Sequence, residues 1–150
     1  MKTLVAYFSA QGTTAALARE LAEKTGADLF EIVPREPYSA ADITWTNPMA
    51  RCNREKIGRK DVPVTGTVAD WESYDRVYLG FPIWYYGAPN VVNTFCKGYD
   101  WQGKRVALFA TSGGSGIGRT VEKLRPYVAG GEIVKAEVIR DGKSLSDILL

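Results

Sequence analysis

An uninterrupted apolar run, Leu4-Val5-Ala6-Tyr7-Phe8, gives way at once to Ser9-Ala10-Gln11-Gly12-Thr13-Thr14. The run is too short for a helix, and its Val, Tyr and Phe favour a buried strand. Ala15 to Lys24 reads as the helix that follows, with Leu17, Leu21, Ala18 and Ala22 on one face and Gly26 at the C-cap position. Thr13 or Thr14 is placed to cap its start. A strand, a hydroxyl-rich loop and a helix N-terminus together make an anion site, because free N–H groups and the helix dipole converge there. The loop has no Lys after its glycine, unlike the loop of a nucleoside triphosphatase. The hydroxyls of Ser9, Thr13 and Thr14 with the backbone N–H groups therefore suit one terminal phosphate. The plainer alternative is an ordinary capped turn between a strand and a helix.

Composition narrows the chemistry. The 150 residues suit one domain with a sizeable core, and a formal charge of +2 is too small to point to nucleic acid. Histidine is absent, which excludes Ser-His or Cys-His nucleophile activation and imidazole metal ligation. Cys52 and Cys96 are far apart in sequence, so neither a disulfide framework nor a thiolate zinc site is suggested. No metal site is expected. No stretch approaches membrane-spanning length, and the first apolar run is too short for a signal segment, so no membrane partner and a cytoplasmic location are expected.

Asp28 to Val33 reads as a second strand, ended by Pro34. Residues 34–66 then form an extended insertion that simple strand–helix alternation does not need. Within it, Asn47-Pro48 resembles an N-cap followed by a first-turn proline, Gly58 is a stop, and Met49, Cys52 and Ile57 give a partial apolar face. From Arg51 to Lys60, the basic residues Arg51, Arg54, Lys56, Arg59 and Lys60 face one acid, Glu55. Such a run can dock an acidic partner or a dinucleotide phosphate; a solvated helix face is the favoured reading.

Val77 to Phe81 is the third strand, introduced by a polar turn at Ser73 to Asp75 and followed by Pro82-Ile83-Trp84-Tyr85-Tyr86-Gly87-Ala88-Pro89. Adjacent aromatics held in a loop between prolines suit ligand contact better than core packing. Val91, Val92, Phe95 and Cys96 mark the inward face of the next helix, where Cys96 reads as a small buried hydrophobe. Arg105 to Ala110 is the fourth strand, followed by Thr111-Ser112-Gly113-Gly114-Ser115-Gly116-Ile117-Gly118. A loop with so few side chains lets backbone N–H groups approach a flat ligand. A helix from about Arg119 ends before Pro126, with Val121 and Leu124 inward. Glu132 to Arg140 supplies a fifth strand, and Leu145 to Leu150 a short final helix.

Strands alternating with helices predict an α/β, doubly wound, five-stranded parallel sheet with right-handed crossovers and helices on both faces. The special loops follow strands one, three and four, so all should meet in the crevice beyond the carboxyl ends of the strands. The short tail after Arg140 leaves part of one sheet face for a partner chain, such as the second subunit of a homodimer, to cover.

With these residues in place, nearly the whole chain resembles the flavodoxin family. The likeness is closest to the group with Gly-Phe-Pro-Ile-Trp-Tyr after strand three and Ala-Thr-Ser-Gly-Gly-Ser-Gly after strand four. The resemblance implies a flavodoxin-like sheet of order 2-1-3-4-5 and FMN as cofactor. It places Ser9, Ala10, Gln11, Gly12, Thr13 and Thr14 at the phosphate, where the family pattern is Ser/Thr-x-Thr-Gly-Asn-Thr; Gln11 and Thr13 depart from it. It places Pro82, Ile83, Trp84, Tyr85, Tyr86 and Gly87 beside the flavin ring, with Gly87 able to flip its peptide near the reactive ring nitrogen. It places Thr111, Ser112, Gly113, Gly114, Ser115 and Gly116 at the pyrimidine edge. No catalytic side chain is expected, since the redox chemistry belongs to the cofactor.

Two departures bear on function. Family electron carriers are typically acidic, whereas this chain has a sequence pI near 8.5. The loop after strand four also has no aromatic residue, which leaves one ring face open to a stacked reactant. The expectations are electron transfer through bound FMN with a redox partner protein, or NAD(P)H-dependent reduction of a quinone-type small molecule. A third is a non-enzymatic module that binds another phosphate ligand.

Overall fold

The computed structural model describes residues 2–10, 12–36, 38–43, 46–47, 49–52, 55, 62–84, 87–112, 117, 119–140 and 142–150. A five-stranded parallel sheet is built from β1 (Lys2–Tyr7), β2 (Asp28–Glu31), β5 (Tyr74–Pro82), β6 (Arg105–Thr111) and β7 (Glu132–Val138). Its order is β2-β1-β5-β6-β7, the 2-1-3-4-5 arrangement expected once two extra short strands are set aside. Those two, β3 (Val33–Pro34) and β4 (Val64–Thr65), pair antiparallel as a separate ladder.

The second strand is thus shorter than its apolar run suggests. It stops at Glu31, and Val33-Pro34 turns away to close the base of the 34–66 segment. Pro34 has no N–H to donate, so it fits the edge of a two-residue ladder and not the interior of a large sheet.

Strand alternation sorts the core into two layers. Leu4, Ala6, Phe8, Val77, Leu79, Phe81, Val106, Leu108 and Ala110 join the layer under α2 (Asn90–Lys97). Val5, Tyr7, Tyr78, Ala107 and Phe109 join the layer under α1 (Thr13–Thr25). A sheet buried on both faces reads as continuous apolar runs, which is why β1, β5 and β6 stand out in the sequence. In α2, Val91, Val92, Phe95 and Cys96 all point inward, as their spacing predicts. Burial pushes the Cys96 thiol pKa up, so it behaves as an apolar side chain.

α3 (Thr120–Leu124) runs directly into a 3-10 turn at Arg125–Val128, which accommodates Pro126. The fifth strand ends at Val138, and the tail forms a 3-10 helix over Gly142–Ile148. Leu145 and Ile148 are fully buried against the Tyr78–Phe109 layer, with Leu149 and Leu150 packed beside them. The tail itself therefore covers part of that sheet face. Among the described residues, no helix is long and apolar enough to cross a membrane.

Candidate functional site

The loops leaving β1, β5 and β6 meet at one end of the sheet, because parallel strands carry all their carboxyl ends to the same side. Phe8 N–H donates to the Gly80 carbonyl at 2.9 Å, and Ile83 N–H donates to the Thr111 carbonyl at 2.9 Å. The Thr14 and Thr111 hydroxyls lie 2.8 Å apart in a buried pair. Thr111 thus touches both other loops, one through its carbonyl and one through its side chain.

Helix α1 starts differently from the sequence expectation. Its N-cap is Gly12 at φ 92°, in the left-handed region, and no side chain caps it. Thr13 and Thr14 already belong to the first turn, so neither can cap. Gly12 N–H donates to Ser9 Oγ at 3.0 Å, which folds the loop back on itself. Among the described residues the N–H groups of Thr13, Thr14 and Ala15 have no acceptor. They are the free donors of a helix start, at the end of the sheet where the loops leave β1, β5 and β6. The Thr14–Thr111 pair holds two hydroxyl hydrogens and uses one for its own bond, leaving the other for a further acceptor.

Beyond β5, Trp84 N–H donates to the Gly87 carbonyl at 2.9 Å, and Gly87 N–H returns to the Trp84 carbonyl at 3.2 Å. This closed turn displays Trp84, which is half-buried. Its ring meets Tyr38 at 5.3 Å and 83° and Phe8 at 5.8 Å and 88°; Phe8 meets Tyr38 at 5.6 Å and 63°. Edge-to-face contacts of this kind are individually favourable, and here each ring supports the other two. Trp84 packs against the core through these rings and keeps part of its surface exposed. Ser9, Ala10, Ile83 and Ser112 follow the carboxyl ends of β1, β5 and β6 and are each half-buried. Gln11, Tyr85, Tyr86, Gly113, Gly114, Ser115 and Gly116 lie outside the described residues.

Tyr38, from the 34–66 segment, was not singled out by the sequence reading, which placed its supports Arg51 and Glu55 in a run of charges facing solvent. Tyr38 donates its hydroxyl to Glu55 Oε1. Arg51 Nε donates to Glu55 Oε2 at 2.8 Å, Arg51 Nη1 donates to the Glu36 carbonyl at 2.7 Å, and the guanidinium lies 4.0 Å from the Tyr38 ring centre. Burial, reinforced by the Glu55 hydrogen bond, pushes the Tyr38 hydroxyl pKa well up. Burial works against the Arg51 charge, yet Glu55, Tyr38 and Asp42 outweigh it and raise its pKa. Arg51 and Glu55 are therefore interior partners and not part of a solvated face, and only their i, i+4 spacing hinted at this. Met49 is 73% exposed and does not share the apolar face with buried Cys52. Arg54, Lys56, Ile57, Gly58, Arg59 and Lys60 lie outside the described residues. Among those described, no group of metal-ligating side chains is present.

Comparison with known proteins agrees with this architecture. The family described as Flavodoxin matches residues 2–148. A candidate flavoprotein from Bacteroides eggerthii is 37% identical, with 97% of this chain and 94% of that chain covered and a TM-score of 0.89. Another from Bacteroides uniformis is 36% identical, covering 97% and 96%, with a TM-score of 0.90. A flavoprotein from Lactobacillus acidophilus, solved in complex with FMN, is 22% identical, covering 98% and 97%, with a TM-score of 0.75, a likeness of fold. Comparison with curated proteins gives no match.

Proposed function

This chain belongs to the flavodoxin family, and we propose that it binds FMN in the crevice beyond β1, β5 and β6 and acts as an electron-transfer flavoprotein. The single observation that carries this reading is the pairing of two unlike recognition surfaces at one opening. The free N–H groups of Thr13, Thr14 and Ala15, with the Ser9 loop, suit a phosphate. The Trp84 ring, buttressed by Phe8 and Tyr38, suits a broad apolar ring. FMN carries both groups on one molecule, and the Lactobacillus protein of the same fold was solved with it.

The bound flavin would supply the redox chemistry; the chain binds, orients and shields it. The Thr14–Thr111 pair holds the phosphate loop against β6, so the two recognition surfaces keep a fixed separation. The apolar wall beside the ring disfavours extra negative charge and so sets how readily electrons are accepted.

NAD(P)H-dependent reduction of a quinone-type acceptor is the second reading. It is favoured by the net charge of +2, since a carrier that docks basic redox proteins is typically acidic. The visible spectrum of the purified protein, before and after adding FMN, tests the cofactor. Titration should give tighter binding of FMN than of riboflavin; equal affinities would remove the phosphate site. NADPH oxidation in the presence of a quinone then separates reductase from carrier, since a carrier turns over only with a protein partner.

A further inference from the structure

We propose that Glu55, Arg51 and Tyr38 form a positioning device that fixes the Trp84 ring at the wall of the flavin crevice. The assignment rests on the FMN reading of that crevice and gives the 34–66 segment a role in it. Glu55 is 9% exposed, and its two carboxylate oxygens are divided between the Tyr38 hydroxyl and Arg51 Nε. Arg51 in turn covers the Tyr38 ring at 4.0 Å and is tied to the Glu36 carbonyl, while Asp42 Oδ2 stands 3.9 Å from its Nη1. Tyr38 is thus held at both its hydroxyl and its ring face, and the ring it presents to Trp84 cannot turn without breaking these contacts. The Glu55 carbonyl accepts from Asn90 Nδ2 at 2.8 Å, which pins the device to the first residue of α2.

The arrangement is a closed cycle of ring, guanidinium, carboxylate and hydroxyl, with both carboxylate oxygens used. Trp84 opens the turn closed by Gly87, and its ring packs edge-to-face on the Phe8 and Tyr38 rings. Phe8 is fixed by the sheet. Tyr38 comes from a long loop and needs an anchor of its own, which Glu55 and Arg51 provide. The Arg51 guanidinium offsets the buried Glu55 carboxylate, so the charge that anchors Tyr38 is paired and not isolated.

The test is fluorine NMR of protein labelled with 5-fluorotryptophan, in which the Trp84 resonance is assigned by its loss in Trp84→Phe. In Glu55→Gln and in the milder Tyr38→Phe, the Trp84 resonance should shift and broaden while the Trp71 and Trp101 resonances of the core stay in place. Riboflavin, which carries the ring without the phosphate, should bind both variants about three- to tenfold more weakly, the change that loss of one ordered aromatic contact carries. A Trp84 resonance unmoved in both variants, or riboflavin binding equal to that of the unaltered protein, overturns the proposal while leaving FMN binding intact. An unaltered protein that takes up no FMN overturns instead the reading of the crevice, and this assignment with it.

Discussion

Thr14 and Thr111 stand 97 positions apart in the chain, yet their hydroxyls meet at 2.8 Å in a buried pair that locks the start of α1 to the end of β6. Replacing one partner by Val leaves the other hydroxyl buried and unsatisfied, which costs about 1–3 kcal/mol. Replacing both removes the orphan. Thr14→Val and Thr111→Val should each destabilise the protein by that amount, and the double variant by less than their sum. Denaturant titration of the four proteins checks this, and strict additivity would show that the pair contributes nothing. If the spare hydrogen of the pair also reaches the FMN phosphate, Thr14→Val weakens FMN binding far more than riboflavin binding.

In the proposed FMN site, Trp84 is the contact at the ring end of the cofactor. Trp84→Ala should weaken FMN and riboflavin alike, by about tenfold or more, because it removes ring contact and spares the phosphate. It should also shift the reduction potentials, read by spectroelectrochemistry, while Trp84→Phe keeps most of both properties. Unchanged potentials in Trp84→Ala would place the flavin ring elsewhere.

The order of the sheet was legible because its central strands are buried on both faces. Val77-Tyr78-Leu79 and Val106-Ala107-Leu108-Phe109 can satisfy that environment and little else. The meeting of the three loops followed from the topology alone. What stayed hidden depends on contacts between segments distant in sequence. Arg51 and Glu55 sit in a run of charges that ordinarily faces water, and their partners inside, Tyr38, Glu36 and Asn90, lie 15 to 35 positions away. Strand β5 begins at Tyr74, earlier than its apolar run, because Tyr74 is buried and its hydroxyl finds Asp28 on a different strand. The start of α1 was misplaced because a left-handed glycine can open a helix with no side-chain cap at all.

The Tyr74–Asp28 contact predicts a response to alkaline pH. The Tyr74 hydroxyl donates to Asp28 Oδ2 at 2.6 Å, and burial, then that bond, pushes its pKa from near 10 up to about 12. Between these values the folded state holds a proton that the unfolded chain has lost, so stability falls as pH rises from 10 towards 12. Lys104, whose pKa is lowered by burial, works in the opposite direction, with stability rising up to its ordinary value near 10.5. Tyr74→Phe should therefore flatten the loss of stability between pH 10 and 12 by about 1–2 kcal/mol, measured by urea unfolding at each pH. An unaltered slope in that variant would mean that Tyr74 ionises as readily in the folded protein as in the unfolded chain.

Gly80 is required by the ring beside it. A Cβ built on Gly80 would lie 2.1 Å from Phe109 Cζ and 2.3 Å from Cε2, well inside contact distance. Phe109 is fully buried on the neighbouring strand, directly opposite Gly80 in register, so its ring has no free space to retreat into. Overpacking of a well-filled core costs about 1–3 kcal/mol, and a clash in the centre of the sheet belongs at the upper end of that range or beyond it. Gly80→Ala should therefore lower the thermal midpoint by several degrees. Shortening the ring gives the added methyl room, so Phe109→Leu in the Gly80→Ala background should recover part of the loss, although Phe109→Leu alone is destabilising. Calorimetry of the single and double variants decides it: two losses that simply add would mean that the glycine serves the backbone and not the ring.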